Sequence, residues 1–285
     1  MMPAAFDYLA AENADEVLAA LADGDATVLA GGQSLVLDVT NRDTRPRRVV
    51  DINRVAEFTT LTEADGMLRV APLVRHRTFE SDAVGGPLGD LLRAIVRHIG
   101  HPPIRSRGTM LGSLAYAHPA AEWPVLATVL DAQLDLAGPE GRRTVAAEQF
   151  FTGPFTTVRR PEELLAEVRL PLLPAGTGAG YAEYRPHQVK FAQSAVIAAV
   201  TVTEGLVTAA AIGLVNVGPC PVRARAAENV LLGAAFSDAA ITAAAAAAAN
   251  IDASPHRQRA ADRRRQQDAI TVLTRRALSQ ARKGT

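Results

Sequence analysis

The 285-residue sequence predicts an α+β protein, and three observations carry that expectation. Helical and strand-like apolar runs alternate over the first fifty residues. Pairs of alternating segments flank the turns Ala64-Asp65-Gly66 and Glu204-Gly205, as antiparallel hairpins require. From Pro221 onward the pattern is helical. Apolar residues make up 48% and charged residues 21%, a globular balance that excludes disorder over most of the length.

Taken in order, Ala14 to Ala22 presents Val17, Leu18 and Leu21 at helical spacing, with Asn13 as cap and Gly24 as stop. Ala26 to Ala30 follows as a buried strand ending on Gly31-Gly32, where a loop is expected. Val49 to Ile52 resumes a strand, so this part forms an α/β unit. Thr59 to Leu61 and Met67 to Val70 read as a hairpin. Pro87 to His98 is a helix with Leu88, Leu91, Leu92, Ile95 and Val96 on one face; it stops at Gly100, before Pro102-Pro103 imposes extended chain. Glu122 to Leu130 is a second apolar helix. Gln133 to Ala137 and Glu163 to Leu170 are strands, closed by Gly138-Pro139 and by Pro171. The Pro/Gly-rich run from Pro174 to Gly180 has the composition of a linker and is taken as a domain boundary. Beyond it, Ser194 to Thr203 and Leu206 to Val217 are long strands. Helices follow over Pro221 to Leu232, over the alanine run Ala243 to Ala249 capped by Ser237 or Asp238, and over Arg263 to Ala281.

Thirty basic residues offset thirty acidic ones, which argues against nucleic acid or an anionic membrane as main partner. The charge is uneven: up to Asn41 there are seven acidic residues and no Lys or Arg, whereas Ile251 to Thr285 carries nine basic against three acidic residues. Arg257, Arg259 and Arg263 to Arg265 form a solvated face, or a docking surface for an acidic partner. The lone Cys220 excludes an internal disulfide and a four-thiolate cluster on this chain, so any metal redox centre belongs to another chain. Flanked by prolines, Cys220 is expected as an apolar filler. His98 and His101 flank Gly100 with no carboxylate nearby in sequence, so no metal site is assigned. No secretion signal or membrane-spanning run is visible, and the cytoplasm is the expected location.

Two glycine-bearing segments carry the chemistry. Ala30-Gly31-Gly32-Gln33-Ser34 follows a strand, and adjacent glycines let backbone N–H groups converge on an anion. Arg105 to Ser113, RSRGTMLGS, combines two glycines, Thr109 and Ser113 hydroxyls and two arginines. Neither has the spacing GxGxxG, so no Rossmann site follows. One diphosphate gripped from two sides accounts for both.

With those residues in view, AGGQSL, then IGHPPIRSRGTMLGSLAYAHPAAEWPVLATVLDA, PEELLAEVRLP, VGPCPVRARAAENVLLG and RRALSQA resemble the FAD-binding medium subunit of the molybdenum hydroxylases, the group of carbon monoxide, xanthine and nicotine dehydrogenases. The resemblance covers essentially the whole chain. It implies a two-subdomain, PCMH-type FAD-binding domain like that of vanillyl-alcohol oxidase, residues 1–57 and 58–173, holding FAD between its subdomains. A small α+β C-terminal domain of the CO dehydrogenase flavoprotein type, residues 180–285, follows. It further implies Ala30, Gly31, Gly32, Gln33 and Ser34 as the first diphosphate loop and Thr109, Met110, Leu111, Gly112 and Ser113 as the second. Glu122 stands near the adenosine ribose, Leu165 at the adenine side, Arg185 near the flavin, and Ile99 where some members place an aromatic beside the isoalloxazine.

The sequence departs from the family at two positions. Leu111 replaces the first glycine of Thr-Ile-Gly-Gly-Ser, so either the backbone shifts there or the side chain points away. His118 replaces an aspartate; it is a surface or polar-core residue, or a cofactor or acceptor contact titrating near neutrality. The implied role is electron transfer: a large molybdopterin subunit oxidises substrate, a small iron–sulfur subunit relays electrons, and FAD here passes them to NAD, quinone, oxygen or another acceptor. No catalytic acid–base residue and no metal ligand is assigned to this chain, and a dimer of heterotrimers is expected, without nucleic acid or membrane insertion. A self-sufficient flavin oxidase or reductase would need a substrate-capping domain for which 285 residues leave little room. A scaffold that has lost FAD would rest on Leu111 and His118.

Overall fold

The structure is a computed structural model that describes residues 5–187, 190–253 and 260–285. Arg257 and Arg259 lie outside the described residues. In chain order the elements are β1 (Asp7–Ala10), α1 (Ala14–Leu21), β2 (Ala26–Leu29), α2 (Leu35–Asn41), β3 (Arg48–Asp51), β4 (Leu61–Ala64), β5 (Met67–Val70), α3 (Gly86–Val96), α4 (Pro102–Arg107), α5 (Met110–Tyr116) and α6 (Glu122–Val129). There follow β6 (Gln133–Gly138), β7 (Gly141–Ala146), α7 (Ala147–Phe150), β8 (Phe151–Gly153), β9 (Thr156–Thr157), β10 (Leu164–Pro171), β11 (Thr177–Tyr184), β12 (Ser194–Thr203), β13 (Leu206–Val215), β14 (Val222–Arg223), α8 (Arg225–Leu231), α9 (Asp238–Ala247) and α10 (Ala260–Arg282). The α+β expectation holds.

Two compact units divide the chain. The first takes the residues up to Thr78, Pro102–Ala117 and Ala132–Pro171. Its three-stranded parallel sheet has the order β1-β3-β2, and its five-stranded antiparallel sheet the order β4-β5-β10-β6-β7. Helix α1 begins where Asn13 accepts from the Glu16 backbone N–H at 2.9 Å. Its Val17, Ala20 and Leu21 join Val50, Ile52, Val55 and Phe58 in one buried cluster.

The second unit takes Phe79–His101, His118–Asp131 and the chain from Leu172. Its four-stranded sheet, β11-β12-β13-β14, carries α3, α6, α8 and α10, and α9 packs on α8 and α10. The fit depends on small residues. A Cβ on Gly180 would overlap the Ala277 carbonyl oxygen of α10, and one on Gly178 would overlap that of Ala281. Gly213 of β13 likewise receives Val125 and Val129 of α6. Beneath the sheet Ala244, Ala248, Ala277 and Ala281 are fully buried, so the alanines let helices approach closely where larger side chains would hold them off.

Several local expectations are corrected. The hairpin's first arm is Leu61–Ala64, because Asp65 and Gly66 both have positive φ and form a two-residue turn that pairs Ala64 with Met67; residues 56–59 coil instead as a 3₁₀ turn. Pro102-Pro103 does not impose extended chain. It opens α4, since proline's fixed φ suits a first helical turn, whose N–H groups have no helical acceptor anyway. The run Arg105 to Ser113 is therefore two helices meeting at Gly108-Thr109 rather than a loop. The stretch Pro174 to Gly180 enters β11 at Thr177; Gly178 and Gly180, two residues apart, share the strand face that meets α10. Pro221 precedes a strand pair, Val222 against Leu214, before α8 starts at Arg225. Strands β1 and β7 and helix α2 were not expected from the pattern.

These contacts make a direct prediction. Gly180→Ala forces Cβ into the Ala277 carbonyl and is expected to destabilise by about 1–3 kcal/mol. Gly153→Ala, whose Cβ would stand 3.9 Å from Thr156, is expected to stay within about 0.5 kcal/mol. Urea denaturation of both variants measures the difference; equal losses would refute the close-approach account.

Candidate functional site

Strand β2 delivers the chain to Ala30-Gly31-Gly32, and α2 starts three residues later. Gly32 has φ +76°, a conformation that glycine adopts freely. Gly31 is needed for a different reason: a Cβ there would overlap the carbonyl oxygen of Arg107 and stand 2.8 Å from Gly108 Cα. The glycine loop thus lies directly against the junction of α4 and α5, and the two segments singled out from sequence meet in the first unit. The backbone N–H groups of Gly31, Gly32, Gln33, Ser34 and Leu111 donate to no protein acceptor among the described residues. Gln33 Nε2 reaches the Gly31 carbonyl at 3.3 Å.

Thr109 caps α5, its buried hydroxyl accepting from the Gly112 N–H at 3.0 Å. A Cβ on Gly112 would come within 2.8 Å of that hydroxyl, so this glycine is sterically required. Leu111 is not strained. It sits in the first turn of α5 without positive φ, its side chain 2% exposed in the core. The departure at residue 111 therefore lends no support to a chain that has lost its cofactor. Leu165 lies buried in β10, paired with Leu136 of β6.

A bracket of polar side chains joins the two segments. Asn53 Nδ2 donates to the Ala30 carbonyl at 2.9 Å, and Arg75 donates to Asn53 Oδ1 and to the Arg107 carbonyl, both at 2.5 Å. Asp51 takes the Asn53 N–H at 2.9 Å and the Tyr8 hydroxyl at 2.6 Å. The surrounding field is cationic. Buried His76, beside Gly108, is pushed down to about 3 by burial and by the charges of Arg105 and Arg75, and is neutral at pH 7. Asp51 is held below the usual carboxylate range: its hydrogen bonds from Tyr8 and Asn53 and the charge of Arg107 outweigh its desolvation. Sequence patterning missed Asn53 and Arg75, because neither belongs to a glycine motif or an amphipathic period.

Four further expected residues stand on the second unit. Ile99 follows α3, its N–H donating to Val96 at 3.0 Å. The adjacent His98 carbonyl accepts from Arg185 Nη2 at 2.6 Å. Arg185 also pairs with Glu183 at 2.8 Å and lies 3.6 Å from Glu122, so Arg185 and Glu122, placed apart by sequence, face each other. Tyr181 donates to Glu183 at 3.1 Å, and His98 Nδ1 lies 3.0 Å from Glu183 Oε1. His98 is thus bound to a carboxylate, and no group of three metal-binding side chains occurs among the described residues. His118 Nδ1 accepts from the Ala120 N–H at 3.0 Å, and its ring stacks on Phe191 at 4.0 Å. Burial lowers its pKa, which favours the neutral ring at pH 7.

Glu122, only 2% exposed, is pushed up to about 7 by burial, with Arg185 opposing. The folded chain therefore holds a proton there between the ordinary carboxyl value of 4.5 and about 7, where the unfolded chain has released it. This contribution to stability is full below pH 4.5 and is lost as pH rises through about 7. Glu122→Gln is expected to lessen the fall in thermal midpoint between about pH 5 and pH 8. An unchanged slope, followed by circular dichroism across that range, would show that Glu122 does not titrate there.

Comparison with known proteins accords with this arrangement. The family model described as the FAD binding domain in molybdopterin dehydrogenase matches residues 4–173, and that of the CO dehydrogenase flavoprotein C-terminal domain matches residues 187–281. The chain is 35% identical over 240 residues to the 6-hydroxypseudooxynicotine dehydrogenase complex subunit alpha of Paenarthrobacter nicotinovorans, covering 83% of this chain and 81% of the relative. It is 32% identical over 243 residues to the carbon monoxide dehydrogenase medium chain of Hydrogenophaga pseudoflava, 83% of each. The solved carbon monoxide dehydrogenase of Hydrogenophaga pseudoflava that lacks the Mo-pyranopterin moiety of the molybdenum cofactor superposes with a TM-score of 0.92 at 33% identity, over 99% of both chains. The chain belongs to the family of FAD-binding medium subunits of the molybdenum hydroxylases, oxidoreductase components of multi-subunit dehydrogenases.

Proposed function

We propose that this subunit holds FAD non-covalently, with the diphosphate on Ala30–Ser34 and Thr109–Ser113. The observation that carries this assignment is the contact of Gly31 with the Arg107 carbonyl, which sets the uncommitted N–H groups of Gly31 to Ser34 beside the first turn of α5, among arginines. Such N–H groups and a cationic field suit a diphosphate. Leu165, Ile99, His118, Glu122 and Arg185 are proposed as further cofactor contacts on the family resemblance. When bound, FAD supplies the redox chemistry, accepting electrons one at a time and releasing them singly or as hydride; the protein supplies position, electrostatics and exclusion of side reactions.

The partners proposed are a large molybdopterin subunit and a small iron–sulfur subunit, paired as a dimer of heterotrimers in the cytoplasm. One cysteine cannot bind a cluster, and the relatives are themselves named as medium chains or complex subunits. A free Cys220 needs no oxidising compartment. The division into 1–57, 58–173 and 180–285 is likewise proposed; family models that end at 173 and resume at 187 support its last boundary.

Two experiments test the assignment. Gly31→Ala drives a methyl into the Arg107 carbonyl and should weaken FAD retention at least about tenfold, or 1.4 kcal/mol, read from the flavin-to-protein absorbance ratio. A folded Gly31→Ala chain with full flavin content would remove the loop from the site. The isolated subunit mixed with the complex's substrate should keep its flavin oxidised, whereas the assembled complex should bleach it. Bleaching of the isolated chain at the rate of the complex would instead favour a self-sufficient flavoenzyme.

A further inference from the structure

We propose that Arg75 and Asn53 are positioning residues that set the gap between the two diphosphate-binding segments and thereby the affinity for FAD. The inference rests on the diphosphate assignment above and adds two residues that belong to neither glycine motif.

The bracket is continuous. Ala30 offers its carbonyl to Asn53 Nδ2, Asn53 offers Oδ1 to Arg75 Nη2, and Arg75 Nη1 takes the Arg107 carbonyl. Each end is the carbonyl just before a critical glycine, Gly31 or Gly108. A peptide unit is planar, so holding the Ala30 carbonyl toward Asn53 aims the Gly31 N–H the opposite way, away from the bracket. At the other end the Arg107 carbonyl is the atom that Gly31 abuts, so Arg75 holds in place the surface on which the glycine loop rests. Position 75 is tied down again by its bridge to Thr109 and by the His76 N–H, which donates to the Gly108 carbonyl at 2.9 Å.

The chemistry of each side chain suits this task. Asn53 is used in both directions, its oxygen accepting from Arg75 and its nitrogen donating to Ala30 and to Asp51 Oδ1, which fixes the amide orientation. Arg75 needs two divergent N–H groups in one rigid plane. A lysine has the charge but not the fork. Asp51 offsets part of the cationic charge, while Arg75, Arg105 and Arg107 remain around the junction, and Tyr8 anchors Asp51 from β1. No residue of the bracket is placed to donate or accept a proton in a reaction.

The test uses the full chain stripped of flavin and titrated with FAD by flavin fluorescence, with the thermal midpoint of the flavin-free chain measured alongside. Arg75→Gln and Asn53→Ala should each raise the FAD dissociation constant about ten- to a hundredfold, the range expected for losing a hydrogen bond to a charged group. Arg75→Lys, which keeps the charge and one bond, should fall between Arg75→Gln and the unaltered chain, with the flavin-free midpoint little changed. Since both residues act through one bond, the double variant should be no weaker than the weaker single variant by more than about threefold. Additive losses would overturn the shared bracket, and so would an Arg75→Lys chain that binds FAD as tightly as the unaltered one. ADP, which carries the same diphosphate, should lose affinity by a similar factor; undiminished ADP binding would count against the inference. An unaltered chain that takes up no FAD would defeat the cofactor assignment itself, whereas unaltered and variant chains binding FAD equally would defeat the bracket alone.

Discussion

The absence of one Cβ determines the site. Gly31 lies so close to the Arg107 carbonyl that any side chain would push the glycine loop off the α4–α5 junction. Everything that follows in the first unit depends on that approach. It brings unpaired N–H groups from two sequence-distant segments into one neighbourhood, and it does so with backbone, which is the chemistry that suits a diphosphate irrespective of what it is attached to. Side chains then serve the backbone. Asn53 and Arg75 hold carbonyls, Thr109 caps a helix, and His76 is a neutral ring whose protonation burial and its arginine neighbours oppose.

The second unit uses the same device for packing. Gly178 and Gly180 admit the backbone of α10, and Gly213 admits the valines of α6. Where a sheet face is lined with Gly and Ala, helices approach closely and dispersion contacts are dense, although each side chain buries little apolar area. The polar knot of His98, Tyr181, Glu122, Glu183 and Arg185 is the exception in this unit. Two carboxylates share one guanidinium, and the more deeply buried one, Glu122, shifts toward its neutral form because desolvation outweighs the attraction of Arg185.

The parts of this fold that were legible from sequence are those with a period. Asn13 and the Val17-Leu18-Leu21 spacing located α1, and the apolar face of Pro87 to His98 located α3. Features set by tertiary contact were not legible. The pattern Thr-Gly-Ala-Gly reads as flexible until a helix is known to pass within contact of alternate residues. Pro102-Pro103 reads as a break, yet the same locked φ starts a helix when the following residues continue it. Strand β1 has two exposed and two half-buried residues, no alternation to detect, and depends on its parallel partner β3. At the candidate site, glycines mark themselves by composition, so both glycine-bearing segments were visible. Asn53 and Arg75 are ordinary polar residues whose role exists only once residues 30, 53, 75 and 107 are adjacent.

The departure at Leu111 shows why a motif has to be read position by position. A glycine is indispensable where φ is positive, as at Gly32, or where another atom occupies the place of Cβ, as at Gly31 and Gly112. Residue 111 meets neither condition. Its φ is helical and its side chain is buried, so leucine there adds apolar burial within the first helical turn. His118 follows the same logic at a polar position. An aspartate there would bring a negative charge, whereas burial favours the neutral form of this imidazole, which accepts from Ala120 and stacks on Phe191. What fixes the junction here is the missing Cβ of Gly31 and the hydrogen bonds that hold the Ala30 and Arg107 carbonyls.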